Sequence, residues 1–416
     1  MNKRNKNPRI RKRIKSLKAI LFSCFLIGLI SSFCYNEFFL GSLDDKKQSQ
    51  IENKENLSGS TDDSEEKSSE DLTSKKEEDI SEKAPDKNID TGEINEGAGP
   101  MVNGNIVLSF AGDCTLGTDP SFTYNTFPQK VQEVGENYAY FFQNVLPIFS
   151  EDDLTVVNLE GPLTNAEAKA EKKFTFKGPA EYAKILSAGS VEAANLANNH
   201  SMDYLEQGFE DTKKALDAES IAYFGLGTEY TANIRGKNIV LLGYKGWLEN
   251  VDFGALEADI KKHKDEGSIV IANFHWGSEK SYRPNTFQVD VAHAAIDYGA
   301  DIVIGHHPHV IQGLEMYKGK PIAYSLANFC FGGNNNPPDK RTFILQTDLV
   351  ISNSSLSQIG IRVIPASISS VSTLNNYQPT PSEGADKAVL LEELNNLSTN
   401  LNFELSDEFT YVNVGN

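Results

Sequence analysis

Three of the seven histidines in this 416-residue chain lie within the single segment Gly305-His306-His307-Pro308-His309. The segment directly follows residues 301–304, an apolar run typical of a buried strand. Side chains two residues apart in an extended segment point to the same side, so His307 and His309 would face one ligand. Because neutral imidazoles are common ligands of transition metals, we expect a metal site here.

Further polar residues follow other predicted strands. In open α/β sheets, the loops after the carboxyl ends of the strands face a common crevice, so we expect these residues to meet there. The mixed oxygen and nitrogen donors suit divalent Mn, Zn or Fe better than Ca or Mg, and there are too few cysteines for a thiolate site. The residues that follow the strands in this way are Asp113, Glu160, Asn199 with His200, His275 with Glu279, and Asn328.

Several of these residues have ordinary alternative roles. An Asp after a strand often caps a helix, and an Asn-Asn pair is typical of a turn. Lys177 and Arg283 could contact an anionic substrate or be solvated surface charges. Among the remaining aromatic and imidazole side chains, Trp276 is expected in the core, His263 at the surface, and His293 on a helix flank away from any metal.

The alternation of apolar runs and helical patterns predicts an α/β domain with much parallel or mixed sheet. We predict strands over residues 106–111, 154–159, 193–196, 238–244, 268–274, 301–304 and 321–326. We predict helices from Pro179 to Gly189, from about Asp203, from Asn285 to Gly299, and over 389–397, followed over 403–414 by an edge strand or a loosely docked tail.

The amino-terminal hundred residues have a different composition. Residues 1–18 are basic and 19–40 are mostly apolar, long enough for a bilayer that needs roughly 20 residues. The basic flank predicts a single-pass anchor with a cytoplasmic amino terminus and an extracellular main domain. A cleaved signal peptide is the alternative interpretation.

Residues 41–100 are polar and contain no aromatic residue, which predicts a disordered acidic linker. Residues 101–375 would then be the main domain, and 376–416 an extension packed on it or partly mobile. The net charge of −19 argues against nucleic acid as a partner. Only Cys114 and Cys330 lie beyond the anchor, and the sequence leaves open whether they pair.

The motifs together resemble the CapA/PgsA proteins of poly-γ-glutamate capsule synthesis, from about Asn105 to Pro365. The motifs that carry the resemblance are Gly112-Asp113, Asn158-Leu159-Glu160, Ala197-Asn198-Asn199-His200, His275-Trp276-Gly277-x-Glu279, Gly305-His306-His307-Pro308-His309 and Ser325-Leu326-Ala327-Asn328-Phe329.

That family is in turn similar to calcineurin-like metallophosphoesterases. The resemblance implies a sandwich of two mixed β-sheets flanked by helices, with two divalent transition-metal ions, Mn, Zn or Fe. The implied ligands are Asp113, Glu160, Asn199, His275, His307 and His309, with His200 beside the leaving group. His306, Glu279, Asn328, Arg283 and Lys177 are further candidates for the metal or the substrate.

The chain departs from the phosphoesterase pattern at three places. Thr115 stands where a histidine is usual, Glu160 replaces the bridging Asp, and an extra residue leaves open whether His306 or His307 is the ligand. The resemblance implies a membrane-anchored component of poly-γ-glutamate synthesis or export, whose partner is the polymer or its membrane synthase. A non-catalytic accessory that binds either partner, and a hydrolase of another cell-surface substrate, remain alternatives.

Overall fold

The computed structural model describes residues 103–247 and 249–414. The predicted basic segment, membrane anchor and acidic linker, residues 1–18, 19–40 and 41–100, lie outside the described residues. Within the part that is described, no helix combines the length and apolar composition needed to cross a bilayer.

Fifteen strands in the described residues form two mixed sheets, which agrees with the predicted α/β class. The first sheet has the order β14-β13-β12-β1-β2-β3-β4, with β11 also paired to β1 and β15 to β13. Its strands are β1 (Gly104–Thr115), β2 (Leu154–Leu159), β3 (Ala193–Asn195), β4 (Ala222–Phe224), β11 (Asn328–Phe331), β12 (Arg341–Ser352), β13 (Ser355–Ser367), β14 (Thr380–Pro381) and β15 (Thr410–Asn413).

The second sheet has the order β5-β6-β7-β8-β10-β9, with a parallel centre and antiparallel edges. Its strands are β5 (Tyr230–Ile234), β6 (Lys237–Gly246), β7 (Ile269–Trp276), β8 (Ile302–His306), β9 (Leu314–Tyr317) and β10 (Lys320–Ala323). All seven predicted strands are therefore present, as β1, β2, β3, β6, β7, β8 and β10.

Every α-helix but the last packs on the outer face of one of the two sheets. The α-helices are α1 (Phe127–Glu133), α2 (Leu146–Phe149), α3 (Ala183–Ala188), α4 (Leu205–Ala218), α5 (Phe253–Asp265), α6 (Thr286–Tyr298) and α7 (Gly384–Leu397), and two 3-10 turns span Tyr138–Phe141 and Ala180–Tyr182. The helix predicted from Asn285 to Gly299 is confirmed as α6: Asn285 and Gln288 form a capping box, and Gly299 follows the helix with φ 121°.

The hydrophobic residues form three layers. One cluster fills the space between the sheets and contains alternate residues from both, such as Phe110 and Val156 of the first sheet and Ile271 and Ile304 of the second. Each sheet also has one cluster on its outer face, where it packs against helices. Trp276 is fully buried in one of these outer clusters, as predicted, and its indole N–H donates to the Tyr324 carbonyl at 2.9 Å.

The carboxyl-terminal residues pack on the same unit. Leu390 and Leu394 of α7 join the cluster between the sheets, and β15 pairs antiparallel with β13. Of the two interpretations of residues 403–414, the edge strand is thus the correct one.

The surface position predicted for His263 is wrong. This imidazole is 5 % exposed, with Nε2 3.1 Å from Glu229 and Nδ1 3.3 Å from Glu266. Lys261 and Lys262, which precede it in the sequence, face solvent, whereas the helical period turns His263 inward.

The long hairpin of β12 and β13 was not predicted. In β12, polar residues such as Gln346 and Thr347 are buried together with the apolar ones, so no alternation of polar and apolar residues marks the strand. Its hydrogen bonds to β1 fix the strand that carries the first candidate ligand.

Substitution of Gly112 tests whether a close approach of backbone positions the neighbouring candidate ligand, Asp113. An added Cβ would lie 2.0 Å from the Ala327 carbonyl oxygen, where β1 and the chain before β11 approach closely. We expect Gly112→Ala to lower the free energy of unfolding by about 1–3 kcal/mol or more, because backbone would have to move. Urea unfolding followed by circular dichroism measures this.

The matched control is Gly254→Ala in the first turn of α5. The nearest atom to its added Cβ is Asp252 Oδ1 at 3.4 Å, an ordinary contact. It should be neutral or stabilising by about 0.4–1 kcal/mol, through reduced entropy of the unfolded chain. Equal effects of the two substitutions would contradict the close approach at Gly112.

Candidate metal site between the two sheets

The register of the first sheet places four polar residues in one row. Asp113 is paired with Asn158 on β2 and with Asn328 on β11, and Asn158 is paired with Asn195 on β3. Because paired residues share a face, this row lies on the inner face, beyond the apolar residues of the core.

A bulge in β1 brings Asp113 to that face. Phe110 and Asp113 are three residues apart and would face opposite sides of a regular strand, whereas their partners Val156 and Asn158 are two apart. The extra residue in β1 therefore turns Asp113 inward. Bulges commonly re-aim a side chain in this way near functional sites.

The second sheet contributes a facing row. His275 and His306 are register partners on β7 and β8. His306 lies two residues after Ile304 on β8, and His275 lies four residues after Ile271 on β7. Because both spacings are even, each histidine shares the inner face with those residues. The two rows thus meet beyond the carboxyl ends of the parallel strands, as predicted from the sequence.

Two groups of side chains are arranged so that each could hold a metal ion. In each group, one ligand atom per residue lies within 4.8 Å of the others. The first group is Glu160, His275 and His307, and the second is Asp113, Glu160 and His309. Glu160 belongs to both groups, so its carboxylate could contribute to either one.

Both carboxylate oxygens of Glu160 are buried and have no hydrogen-bond partner. The closest basic atoms are His275 Nε2 at 3.6 Å, His309 Nε2 at 3.9 Å and His200 Nε2 at 4.0 Å from Oε1. A buried carboxylate without a partner is costly, and metal coordination is one of the few ways to satisfy it. These donors therefore fit divalent transition metals.

His307 and His309 do not lie in an extended segment, which corrects the geometry predicted for them. Their φ angles are 97° and 57°, in the left-handed region that costs non-glycine residues free energy. His307 Nδ1 lies 3.1 Å from His275 Nε2, and His309 Nδ1 lies 3.2 Å from Asp113 Oδ2. The turn, rather than strand alternation, directs the two rings into the two groups.

Of the two histidines between which the sequence left the ligand open, His307 belongs to the first of these groups. His306 is also near, with its Nδ1 buried, without a hydrogen bond, and 3.6 Å from Asp113 Oδ1. Burial lowers the pKa of both imidazoles to about 4. Each is therefore neutral at pH 7 and has a lone pair for a ligand.

The charges at the centre are strongly coupled. Burial raises the pKa of Glu160 to about 8, although the charge of His309 opposes the rise. Burial would lower the pKa of His309, but Glu160 and Asp113 outweigh it and raise the value to about 10. Burial also acts to raise the pKa of Asp113, and His309 overcomes it, so the value lies below 3.8. A proton on His309 thus supplies the positive charge that a metal ion would bring.

The remaining predicted residues differ in their distance from the groups. Asn199 Oδ1 is 2.7 Å from His275 Nε2, and Asn328 Oδ1 is 2.9 Å from His309 Nδ1. Glu279 is exposed, and its charge helps to raise the pKa of His309. Lys177 donates to the Ala166 carbonyl and lies over the Tyr204 ring, and Arg283 is exposed. Within residues 103–247 and 249–414, neither cation forms an ion pair or hydrogen bond with the groups.

Cys114 and Cys330 are both buried and free, and His293 lies elsewhere, 3.0 Å from Glu315. Two neighbours of His200 were not predicted as site residues: Asp203, whose Oδ2 lies 2.6 Å from His200 Nδ1, and Lys172, which contacts Asp203 and donates to the Asn199 carbonyl at 2.8 Å. The spacing of three residues between His200 and Asp203 was the available signal, since a turn brings such residues together.

Glu160→Gln tests how much the buried Glu160 carboxylate destabilises the metal-free fold. Because burial raises the pKa of Glu160, the ionised group destabilises the metal-free fold increasingly between pH 4.5 and about 8. We expect Glu160→Gln to stabilise the metal-free protein by about 1 kcal/mol or more at pH 8.5. The gain should be smaller at pH 5.5, and Mn²⁺ should stabilise only the native protein. Urea unfolding with chelator and with Mn²⁺ measures both effects.

Glu229→Gln is the matched control with the opposite sign. Burial acts to raise the pKa of Glu229, but bonds from Lys262 and His263 lower it. Ionised Glu229 therefore stabilises the fold above its ordinary pKa and ceases to do so as the pH falls through its lowered pKa. A Glu160→Gln protein that is less stable than the native one at pH 8.5 without metal would contradict the cost assigned to Glu160.

Comparison with known proteins finds a match over residues 107–333, more than half of the chain, to the family described as bacterial capsule synthesis protein PGA_cap. The chain is 33 % identical over 246 residues to the PGA biosynthesis protein CapA of Bacillus subtilis, covering 54 % of this chain and 62 % of that protein. It is 30 % identical over 260 residues to the capsule biosynthesis protein CapA of Bacillus anthracis, covering 55 % and 60 %.

A probable polyglutamine synthesis accessory protein of Mycobacterium tuberculosis is 28 % identical over 209 residues, covering 42 % of this chain and 55 % of that protein. The matches thus span about three fifths or less of the length of these relatives. The family match itself includes every residue of both ligand groups. The chain therefore belongs to the bacterial capsule synthesis protein family PGA_cap.

Proposed function

We propose that this chain is a membrane-anchored component of poly-γ-glutamate synthesis or export, whose external domain is a two-metal hydrolase of a phosphoester or amide bond. The observation that supports it most is the buried Glu160 carboxylate, shared by two ligand groups and without a hydrogen bond to either oxygen. A purely structural carboxylate would be expected to have hydrogen-bond donors around it.

The residues that would hold the ions are those of the two groups. Asp113, Glu160 and His309 would hold one ion, and Glu160, His275 and His307 the other, with Asn199 beside His275. Two divalent ions, Mn, Zn or Fe, would supply Lewis acidity toward a phosphoryl or carbonyl oxygen and offset negative charge that develops there.

His200 would transfer the proton that the leaving group needs. Asp203 Oδ2 lies 2.6 Å from its Nδ1, so the proton of the neutral ring sits on Nδ1 and leaves Nε2 free, 4.0 Å from Glu160 Oε1. Burial lowers the pKa of His200, although Asp203 acts to raise it, so the ring is neutral at pH 7. His200 Nε2 can therefore accept a proton and return it to the leaving oxygen or nitrogen.

The names of the Bacillus relatives, a PGA biosynthesis protein and a capsule biosynthesis protein, suggest the process. Poly-γ-glutamate is itself an anion, and this chain has a net charge of −19. A contact between the two needs local positive charge, which metal ions in the pocket would provide. The polymer or its membrane synthase is therefore the proposed partner.

A second candidate is a non-catalytic accessory that keeps its metal pocket for structure or binding. Thr115 favours it, because its hydroxyl is buried without a hydrogen-bond partner where related phosphoesterases have a histidine. The Mycobacterium tuberculosis relative is also named an accessory protein. Hydrolysis of another cell-surface substrate would be a further outcome of the same experiments.

His200→Ala separates the enzyme from the accessory. If His200 transfers the proton, the variant should lose at least about 100-fold in turnover and keep its metal content. Nitrophenyl phosphate mono- and diesters and a γ-glutamyl anilide are suitable probes, beside polymer yield in cells. His293→Ala, which removes an imidazole bonded to Glu315 outside the site, is the matched control.

One outcome would contradict the hydrolase. If neither probe class is turned over by the native protein and His200→Ala cells make as much polymer as the native strain, the accessory role replaces the enzymatic one.

The membrane location is proposed from residues 1–40, with the main domain outside the cell. Protease added to intact protoplasts should remove the domain, and deletion of residues 1–40 should leave it in the cytoplasm. Protection of the native domain from protease in intact protoplasts would contradict this orientation.

A further inference from the structure

Asn158 lies beneath both ligand groups. It is fully buried on β2, two residues before Glu160 in the sequence. Its Nδ2 donates to Asp113 Oδ1 at 2.8 Å and lies 3.3 Å from His275 Nδ1. Asp113 belongs to one ligand group and His275 to the other. One amide thus contacts a candidate ligand from each group, and one from each sheet.

The direction of this amide is fixed by a chain of hydrogen bonds that starts at the backbone. The Ala197 N–H donates to Asn195 Oδ1 at 3.0 Å, which forces the Asn195 amide nitrogen to the other side. That nitrogen donates to Asn158 Oδ1 at 3.0 Å. The Asn158 nitrogen must therefore face Asp113. A backbone N–H has no alternative role, so the orientation of both amides follows from it.

The amide is suited to this position by its charge and its donors. An aspartate at 158 would place a second carboxylate beside Asp113 in a buried site, where like charges repel strongly. An apolar residue would leave Asp113 Oδ1 without its donor. With Oδ1 held by Asn158, the other oxygen of Asp113 remains directed to His309, 3.2 Å from its Nδ1.

We propose that Asn158 is a positioning residue that couples the two metal sites, by donating the hydrogen bond that orients Asp113 and by packing against Nδ1 of the His275 ring, and that Asn195 sets the direction of its amide. This inference rests on the proposed two-metal site. Partners of metal ligands typically contribute about 10–100-fold to metal affinity. A residue that contacts a ligand of each group should affect both binding steps, whereas Glu160 would couple the sites as a member of both ligand groups.

The test compares three alanine substitutions in the full-length chain, purified in detergent and stripped of metal. Co²⁺ is titrated in, with binding followed by its visible spectrum and by metal analysis. Asn158→Ala should lose about 10-fold or more in affinity at both binding steps, and its Co²⁺ spectrum should change. Asn195→Ala should lose less, about 3–10-fold, because Asn158 stays in place but its amide can rotate.

Asn273→Ala is the matched control. Asn273 is equally buried, lies two residues before His275 on the same face of β7, and donates to the Leu242 carbonyl at 3.4 Å rather than to a candidate ligand. It should keep Co²⁺ affinity within about twofold, since no ligand of either group loses a partner. An equal loss in Asn273→Ala and Asn158→Ala would overturn the proposal, because any vacancy in this layer would then have the same effect.

The other outcomes are also decisive. Asn158→Ala with native affinity at either step overturns the coupling. If Asn158→Ala does not fold, Asn195→Ala decides: a loss at both steps supports the proposal, and native affinity overturns it. If the native chain binds no Co²⁺, the proposed function fails and the inference with it, whereas native binding of two ions that Asn158→Ala retains overturns the inference alone.

Discussion

The structure of the site depends on one buried carboxylate that has no hydrogen-bond donor. Glu160 is 1 % exposed, and the imidazole nitrogens of His275, His309 and His200 lie 3.6–4.0 Å from its Oε1. Desolvation makes such a charge expensive, so the fold tolerates it only with compensating positive charge. In the metal-free protein at about pH 8 and above, where Glu160 ionises, the proton on His309 supplies that positive charge, and divalent ions would supply more of it. The same arrangement that costs stability therefore creates affinity for cations.

Two irregular pieces of backbone bring the other ligands to Glu160. The bulge between Phe110 and Asp113 turns a carboxylate inward, and the left-handed turn at His307 and His309 directs one imidazole into each ligand group. Both features are unfavourable locally and are held by regular structure around them: β12 and β2 flank β1, and β7 and β10 flank β8. Asn195 and Asn158 then fix the orientation of Asp113 through a chain of hydrogen bonds that begins at the Ala197 N–H.

The sequence predicts the location of the site well and its local geometry poorly. Apolar runs such as 154–159 and 268–274 are detectable one at a time, and the rule that strand ends share a crevice assembles Asp113, Glu160 and His275 without a structure. The turn at His307 was not predictable, because it depends on tertiary packing that overrides the extended preference. The β12 hairpin was missed because buried polar residues obscure its pattern, and His263 was misplaced because its neighbours in sequence, not its helix face, were read. The residue type of Asn158 does not by itself suggest a role in the site, so only its contacts identify it as a positioning residue.

The metal content per chain of the purified protein tests directly whether these side chains bind two metal ions. The native protein and the double variant His307→Ala, His309→Ala should be compared after expression in metal-replete medium. We expect about two transition-metal ions per native chain and loss of both in the variant, since one imidazole is removed from each group. A native protein that carries none, or a variant that retains two, would contradict this expectation.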